Sequence, residues 1–339
     1  MNLNFEGQIS SSAIINSGCR IVGKNVSIGP NCIIGEEGPV VIENCQLGKN
    51  VRLKGGYFKD SVFLDNTSVG SCAHIREGTL MEEFSKAAHC VGFKETILFP
   101  YVTTGSLINF CDAFISGGTD QINHSEIGSS YIHFNYTLNK DKATASLFGN
   151  VDDGVFLDQN PIFLGGQGGA VGPINVAFGS KIAAGSILRK DYLKKDQIIS
   201  EPHNKEYEKP FILNHVSNKD NVIDKNYKYI GNIAALYAWY IEIRSKYIRN
   251  KYDKAVIDGA INLLISSYKK RIDHVNKISD HQNENDFPHV VKVPDNLFKS
   301  IYDSGEYLDD IKNIKPEIKN IIKKWLREII KINKNICRG

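Results

Sequence analysis

Residues 21–35 read IVGKNVSIGPNCIIG and carry a six-residue period. The pairs Val22-Gly23, Ile28-Gly29 and Ile34-Gly35 are six residues apart, and Leu47-Gly48 resumes the pattern. This period fits neither an amphipathic helix, which repeats every ~3.6 residues, nor a strand, which alternates every two. It is typical of a solenoid in which each hexapeptide forms a short strand and a corner, with the aliphatic side chain inside and glycine relieving crowding at the turn.

The period continues less regularly toward residue 200, for example at Val69-Gly70 and Ile127-Gly128. Two glycine-rich stretches, 117–123 and 163–173, interrupt it. They predict loops that leave the solenoid, either as simple turns or as covers for a ligand. We expect a β-helix over residues 1–200, a linker over 201–224 and an α-helical domain over 225–339.

The second half of the chain changes to a helical pattern. Apolar residues recur every three to four positions, as at Ile233, Leu236 and Trp239. The predicted helices cover 226–251, 254–278, 295–308 and 315–336. We expect a small bundle whose Trp and Tyr residues form its core, with a partner-binding groove as the alternative.

Composition narrows the function classes. The chain has 339 residues, 42% hydrophobic content, 23% charged residues and a net charge of +3, which does not indicate nucleic-acid binding. No apolar run is long enough for a membrane span, and the first residues lack the features of a signal peptide. The seven cysteines contain no CxxC motif. They predict buried free thiols, a reducing cytoplasm and no metal site.

An 18-residue spacing supplies the sharpest chemical clue. If three hexapeptides make one coil, then Arg76, Lys94 and Asp112 stack on one edge of the solenoid. Two stacked cations repel each other unless an anion lies between them, and a phosphate would meet that need. The alternative is a surface ladder in which Asp112 neutralises Lys94.

Four segments in order carry a resemblance to a known family. They are Arg76-Glu77-Gly78-Thr79-Leu80, residues 91–98 (VGFKETIL), Phe134-Asn135-Tyr136 and residues 181–186 (KIAAGS). Together they resemble the hexapeptide-repeat C-terminal domain of the bifunctional N-acetylglucosamine-1-phosphate uridyltransferase and glucosamine-1-phosphate acetyltransferase. The resemblance implies a left-handed parallel β-helix that forms a homotrimer, with sites between neighbouring subunits.

The same resemblance assigns roles to individual residues. It implies that Arg76 and Lys94 hold a sugar phosphate, while Asn135 and Tyr136 lie at the sugar and acetyl-coenzyme A site. An enzyme of this type would bind acetyl-coenzyme A or another acyl-coenzyme A along the coils near Ala183 and Ala184.

The chain departs from the family where the chemistry occurs. Counting without gaps, the segment that holds the family's general base, a histidine, falls on residues 106–112. Asp112 matches, but Ser106 replaces the histidine and Asn109 replaces a tyrosine. A serine hydroxyl is not basic enough near neutral pH to act as a general base. The alternative bases are His89, His133, His124 and Glu126, the last at a position where the family has asparagine.

These observations favour acyl transfer from a coenzyme A thioester to an amino sugar phosphate or nucleotide sugar. The alternatives are a non-catalytic protein that binds such a ligand and a partner subunit of a separate nucleotidyltransferase. Because the repeat begins near Val22, we do not expect nucleotidyl transfer by this chain alone. The resemblance does not account for the helical domain.

Overall fold

The structure is a computed structural model that describes residues 2–137, 139–201, 208, 218–280, 282–293 and 297–338. Its strands are β1 (Asn2–Ile9), β2 (Ile14–Ile15), β3 (Arg20–Ile28), β4 (Ile33–Ile34), β5 (Val40–Glu43), β6 (Gln46–Leu47), β7 (Arg52–Leu53), β8 (Gly56–Lys59), β9 (Ser61–Phe63), β10 (Ser68–Val69), β11 (Ala73–Ile75), β12 (Thr79–Met81), β13 (Lys86–Ala87), β14 (Gly92–Leu98), β15 (Thr103–Thr104), β16 (Asn109–Ile115), β17 (Glu126–Ile127), β18 (Ile132–Phe134), β19 (Ser146–Phe148), β20 (Phe163–Leu164), β21 (Gly169–Val171), β22 (Asn175–Val176), β23 (Lys181–Ile182), β24 (Ile187–Leu188) and β25 (Ile198–Ile199).

The helices are α1 (Val151–Gly154), α2 (Lys219–Glu242), α3 (Lys251–Asn276), α4 (Tyr307–Lys312) and α5 (Pro316–Ile336). Two 3₁₀ turns cover Arg244–Tyr247 and Phe298–Ser300. The fold is a left-handed parallel β-helix followed by C-terminal helices, as the sequence predicts.

The coils have three faces. Face I contains β5, β8, β11, β18, β21 and β24, and face II contains β6, β9, β12, β19 and β22. Longer strands such as β14 bend across both faces, since its first residues pair with β11 and its last with β12. Face III is a separate sheet of ten strands, from β2 to β25. We call the corners edge I/II, edge II/III and edge III/I.

The hexapeptide period places the interior side chains as expected, with one shift. Ile28 and Ile34 are fully buried, as are the small residues Val26 and Cys32. Val22 is only half-buried, and Ile21 fills the interior in its place. The pattern therefore identifies the core strands correctly, although the first repeat begins one residue earlier than the Val-Gly pair indicates.

Coil lengths vary along the solenoid. Successive face III partners are 16 residues apart from Arg52 to Ser68 and 19 apart from Ile14 to Ile33. Residues 117–125 leave the coil between β16 and β17, as predicted. The other predicted loop, 163–173, is wrong because it contains β20 and β21. Its glycines allow close packing of neighbouring coils: a Cβ on Gly165 would lie 2.4 Å from the backbone nitrogen of Ala184.

Two insertions that the sequence did not reveal follow β18 and β19. They span residues 135–145 and 149–162, and the second contains α1. The Asn150 side chain caps this helix by accepting a hydrogen bond from the backbone of Asp153. Both insertions lie beside the C-terminal helices, and Asn226 of α2 donates to the carbonyl of Ala143.

The C-terminal helices cover face II. Helix α3 packs on β3, β6, β9 and β12, while α2 lies between α3 and α5. Asn250 caps α3, and Gly259 allows the helix to approach Gln46 so closely that a Cβ there would lie 2.5 Å from the Gln46 amide oxygen. The helices thus share a continuous apolar core with the solenoid.

The observed helix bounds correct several predictions. Helix α2 begins at Lys219 and ends at Glu242, rather than spanning 226–251. The helix predicted over 295–308 lies partly outside the described residues, and the described part holds the 3₁₀ turn at 298–300 and the start of α4. The predicted linker, 201–224, lies largely outside the described residues, so the division at 201 and 225 stays a prediction.

The thiols and apolar surface also bear on the predictions. Five cysteines are buried, but Cys72 is exposed and Cys90 is half-buried, so the expectation of uniformly buried thiols is wrong at these two positions. In the described part of the chain, no helix is both long enough and apolar enough to cross a membrane.

Candidate functional site

Edge I/II brings the two predicted phosphate ligands together. Arg76 stacks on Lys94, because Ile75 pairs with Phe93 and the Arg76 amide donates to the Phe93 carbonyl. On the next coil, however, Lys94 pairs with Cys111. This coil is 17 residues long rather than 18, so the predicted stacking of Asp112 on Lys94 is wrong by one residue.

Asp112 belongs instead to a second column at the same edge. The register places it on Glu95, and the Glu95 amide donates to the carbonyl of Glu77 at 3.0 Å. Glu95 and Asp112 are both buried and have φ angles of 51° and 56°, in the left-handed region that non-glycine residues seldom adopt. Two columns therefore run side by side: Arg76, Lys94 and Cys111 in one, and the three carboxylates in the other.

Helix α3 supplies cations to the carboxylate column. Arg271, whose side chain is 2% exposed, donates to Asp112 at 2.8 Å and lies 3.3 Å from Glu95. Lys270 lies 2.5 Å from Glu95 and 3.9 Å from Glu77. Burial opposes ionisation of Asp112, but Arg271 and the Asn135 amide outweigh it and hold the pKa of this carboxyl below its ordinary value.

The remaining predicted ligands at edge I/II lie around these columns. Lys94 pairs with Glu77 at 2.5 Å, and Arg76 Nη2 lies 3.8 Å from the Cys111 sulfur. Asn135 donates to Asp112 at 2.9 Å, which fixes its amide at the edge.

Two further predicted residues lie nearby. Tyr136 is 72% exposed. Asn109 is exposed on face I and accepts from the thiol of Cys111 at 3.2 Å. Burial, followed by the charge of Asp112, raises the pKa of Cys111 to about 11, so this thiol remains protonated at neutral pH.

Edge III/I holds a histidine and serine pair. His89 Nδ1 lies 2.9 Å from Ser106 Oγ, and the Leu107 amide donates to the His89 carbonyl. The sequence predicted that His89 would be offset from Ser106 because it assumed an 18-residue coil. The coil has 17 residues here, so the imidazole meets the hydroxyl directly. His89 is exposed, and Ser106 is half-buried.

His133 is not placed to act as a base. It is fully buried, with Nδ1 2.6 Å from the Cys111 carbonyl and Nε2 2.7 Å from the Ser146 hydroxyl. The carbonyl requires a proton on Nδ1, so Nε2 accepts from the hydroxyl and the ring is neutral. Burial lowers the pKa of His133 to about 4, although Asp112 opposes the shift. Its role is to connect the coils beneath edge I/II.

His124 and Glu126 lie away from edge I/II and edge III/I. His124 Nδ1 is 3.0 Å from the Gln121 carbonyl, within the loop 117–125 at edge II/III. Glu126 begins β17 on face III, in register with Thr103 and Phe163. The structure thus leaves His89 as the histidine candidate at an exposed edge of face I.

Ala183 and Ala184 share edge III/I with His89 and Ser106. Ala184 is exposed, and a Cβ added to the neighbouring Gly185 would meet no atom within 4 Å. Backbone hydrogen bonds connect the intervening corners, from Ser130 to Ser106 and from Gln167 to Ser129. An open track of small residues therefore runs along the solenoid from the His89 pair.

Face I separates the two edges within one chain. His89 and Lys94 are five residues apart along an extended coil, which corresponds to about 16 Å. Face I itself is open on its later coils, where Ile132 and Phe134 are exposed. One amino sugar phosphate is too short to contact both edges of the same chain.

The sequence missed Glu77, Glu95, Lys270 and Arg271 as members of edge I/II. Glu77 and Glu95 stand directly after Arg76 and Lys94, so the 18-residue spacing could have revealed their column. No comparable signal marks the two cations of α3. Within the described residues, no three His, Cys, Asp or Glu side chains group as metal ligands.

Comparison with known proteins confirms the resemblance. The chain is 28% identical over 189 residues to bifunctional protein GlmU of Thermotoga sp. (strain RQ2), covering 56% of this chain and 38% of that protein. It is 31% identical over 185 residues to bifunctional protein GlmU of Geotalea uraniireducens (strain Rf4), covering 54% of this chain and 36% of that protein. The chain thus spans well under half the length of these relatives.

Two other comparisons add no argument. No family model matches the chain. Among solved structures, LpxA from Acinetobacter baumannii is 14% identical, with 56% of this chain and 66% of that chain covered. The TM-score is 0.22, which is too low to support conclusions about this chain.

Proposed function

We propose that the chain transfers an acyl group from a coenzyme A thioester to the amine of an amino sugar phosphate or amino nucleotide sugar. The observation that carries the proposal is the 2.9 Å contact between His89 Nδ1 and Ser106 Oγ. Ser106 occupies the position that the family resemblance gives to the general base. His89 brings an imidazole to that position from the neighbouring coil, which supplies the base that Ser106 cannot be.

The proton transfers follow from this pair. Ser106 orients the ring through Nδ1, and Nε2 accepts a proton from the attacking amine. The amine nitrogen forms a bond to the thioester carbonyl carbon, and the carbon–sulfur bond then breaks. The leaving thiolate takes the proton from the His89 imidazolium, so amide and free thiol are the products. General base catalysis of this kind contributes about 10²–10⁴-fold, and juxtaposition of the two substrates supplies much of the remainder.

Edge I/II would hold the acceptor. Arg76 offers a planar fork and Lys94 a point charge for the phosphate. Asn135 and Tyr136 would orient the sugar, with Asn109 on the adjoining part of face I. Asp112 serves this edge indirectly, because both of its oxygens already accept hydrogen bonds from Arg271 and Asn135.

The open track at edge III/I fits the acyl donor. A thin, extended pantetheine arm could lie over Ala183 and Ala184 because no bulky side chain projects from these corners. The track leads to Ser106, which would bring the thioester to His89. The proposed reaction uses no metal.

The separation of the edges favours an assembly of chains. We propose a homotrimer in which edge III/I of one chain faces edge I/II of the next across face I. The exposed apolar residues Ile132, Phe134 and Val171 would be covered in this arrangement. It would place His89 of one subunit near a sugar phosphate held by its neighbour.

A binding protein without catalysis is the second candidate. The supporting observation is the separation of about 16 Å between His89 and Lys94 within one chain, since a single subunit would hold the phosphate beyond reach of the base. Calorimetry with glucosamine 1-phosphate, UDP-N-acetylglucosamine and acetyl-coenzyme A separates the two. Affinity for the sugar ligands alone supports the binding protein, or a subunit serving a separate nucleotidyltransferase, whereas acetyl-coenzyme A binding supports the transferase.

The direct test is acetyl transfer to glucosamine 1-phosphate by the purified protein and by His89→Gln. We expect the variant to lose about 10²–10⁴-fold in kcat while retaining affinity for the sugar phosphate. His289→Gln is the matched control, because His289 is an exposed histidine in the C-terminal region. Equal activity of the wild type and His89→Gln would refute the assignment of the base.

A further inference from the structure

Edge I/II of the solenoid is by itself a poor site for an anion. Two cations, Arg76 and Lys94, stand there beside three carboxylates, Glu77, Glu95 and Asp112. The net charge of this group is −1. The burial of Glu95 and Asp112 weakens solvent screening of their charges. A phosphate approaching the bare solenoid would therefore meet net repulsion.

Helix α3 reverses that sign. Lys270 and Arg271 are consecutive residues of the helix, and both reach the carboxylate column. Adding their two charges changes the net charge of the group from −1 to +1. Lys270 also lies 3.9 Å from Glu77, the carboxylate that pairs with Lys94. The Lys270 charge thus offsets the acid that would otherwise cancel the phosphate ligand.

The arrangement depends on close packing between the helix and the solenoid. Gly78 has a φ of 78°, and a Cβ there would lie 2.7 Å from the Glu95 carboxylate. Glycine therefore provides the space in which this carboxylate meets Lys270. Gly259 similarly allows α3 to lie directly against Gln46. These two glycines permit the approach at which Lys270 and Arg271 contact the column.

Arg271 has a second effect, on geometry. It binds one oxygen of Asp112 at 2.8 Å, while the other oxygen accepts from the Asn135 amide at 2.9 Å. A fully buried guanidinium thus fixes the carboxylate that orients a proposed sugar ligand.

We propose that helix α3 makes edge I/II an anion site, with Lys270 and Arg271 as positioning residues that reverse its charge and orient Asn135 through Asp112. This inference rests on the phosphate assignment proposed above. It gives the C-terminal helices a role in ligand binding that the solenoid alone cannot supply.

The test uses Lys270→Gln in the full-length chain, because Lys270 is one-third exposed and its loss leaves the buried Arg271 contacts in place. Calorimetry with inorganic phosphate and with glucosamine 1-phosphate measures affinity. We expect a loss of about fivefold to thirtyfold at low ionic strength, shrinking as salt is added. Lys269→Gln makes the same charge change on the same helix, but Lys269 pairs with Asp286 and is 58% exposed. It should bind like the wild type.

A second variant separates charge from structure. Adding Glu95→Gln to Lys270→Gln returns the group to a net charge of +1 and should restore most of the affinity, whereas a merely structural loss would not be restored. Equal effects of Lys269→Gln and Lys270→Gln, or no rescue, would overturn the inference. Wild-type binding that Lys270→Gln leaves unchanged also overturns the inference but preserves the proposed function. Absence of wild-type binding to both ligands overturns the phosphate assignment and the inference with it.

Discussion

Edge I/II and edge III/I are built from the same repeat but are held in opposite ways. At edge I/II the charges are largely buried, and α3 contributes two of them from a point about 160 residues further along the chain, for example from Asp112 to Arg271. At edge III/I the His89 and Ser106 pair is more accessible and comes from adjacent coils. One edge requires the helices, whereas the other needs only the stacking of coils.

This difference separates binding from chemistry in the proposed reaction. Damage to the helix contacts should impair stability and phosphate affinity together, because the same ion pairs serve both. Damage to edge III/I should lower the reaction rate and leave stability and phosphate affinity almost unchanged. Each prediction below tests one side of that contrast.

The largest expected effect is on stability at edge I/II. Arg271→Met leaves Asp112 and Glu95 buried without their guanidinium partner, which should cost about 3–5 kcal/mol in the free energy of unfolding. Urea unfolding measures the loss. The control is Arg327→Met, because Arg327 also pairs with a carboxylate, Asp152, but is 58% exposed and should cost less than about 1 kcal/mol. Similar losses in the two variants would show that the buried network has no special weight.

The pH dependence of stability gives the next effect. Burial lowers the pKa of His133 to about 4 in the folded chain, against 6.5 for an ordinary histidine. The unfolded chain therefore binds more protons between these values, so stability is complete above pH 6.5 and falls as the pH drops toward 4. His133 should account for about 3 kcal/mol of this fall. Burial also lowers the pKa of His274, to about 3, which adds to the same trend.

Urea unfolding from pH 4 to pH 7 measures that slope, and His133→Gln should flatten it. An NMR titration of the His133 ring in the folded protein provides an independent reading. A His133 pKa near 6.5 would contradict the buried, neutral ring and its place beneath edge I/II.

The smallest expected effect is at edge III/I. Ser106→Ala removes the hydroxyl that orients His89, and the loss of one such hydrogen bond should lower kcat for acetyl transfer by about threefold to tenfold. The KM for the sugar phosphate and the unfolding free energy should not change, since no ion pair is involved. Ser68→Ala on face III serves as the control. A change in KM without a change in kcat would place Ser106 in substrate binding rather than in the orientation of His89.

The hexapeptide pattern allowed the solenoid and its interior to be predicted well, because each repeat forms its strand and corner largely from local preferences. Register was harder. The 18-residue assumption placed Arg76 on Lys94 correctly but misplaced Asp112 and His89 by one residue each. A one-residue change in a coil moves a side chain to a different column, and nothing in the repeat marks the shorter coils.

Glycine was also ambiguous in the sequence. Residues 163–173 resemble a loop by composition, yet they form regular coil in which glycine permits close packing of backbones. The insertions at 135–145 and 149–162 lack such a composition and were missed. Local composition reports conformational freedom, but it does not distinguish freedom used in a loop from freedom used in tight packing.

The amino-acid order alone established a repeating coil, a following helical region and the family resemblance, because periodicity and short motifs are local properties of the chain. Docking of the folded parts determined which charges meet. The placement of Lys270 and Arg271 on the carboxylate column, the burial of His133 and the meeting of His89 with Ser106 depend on coil length and on the approach of α3 to face II. Electrostatic interactions act through space over a few ångströms, so residues far apart in sequence can form one site only after the coils and helices have packed.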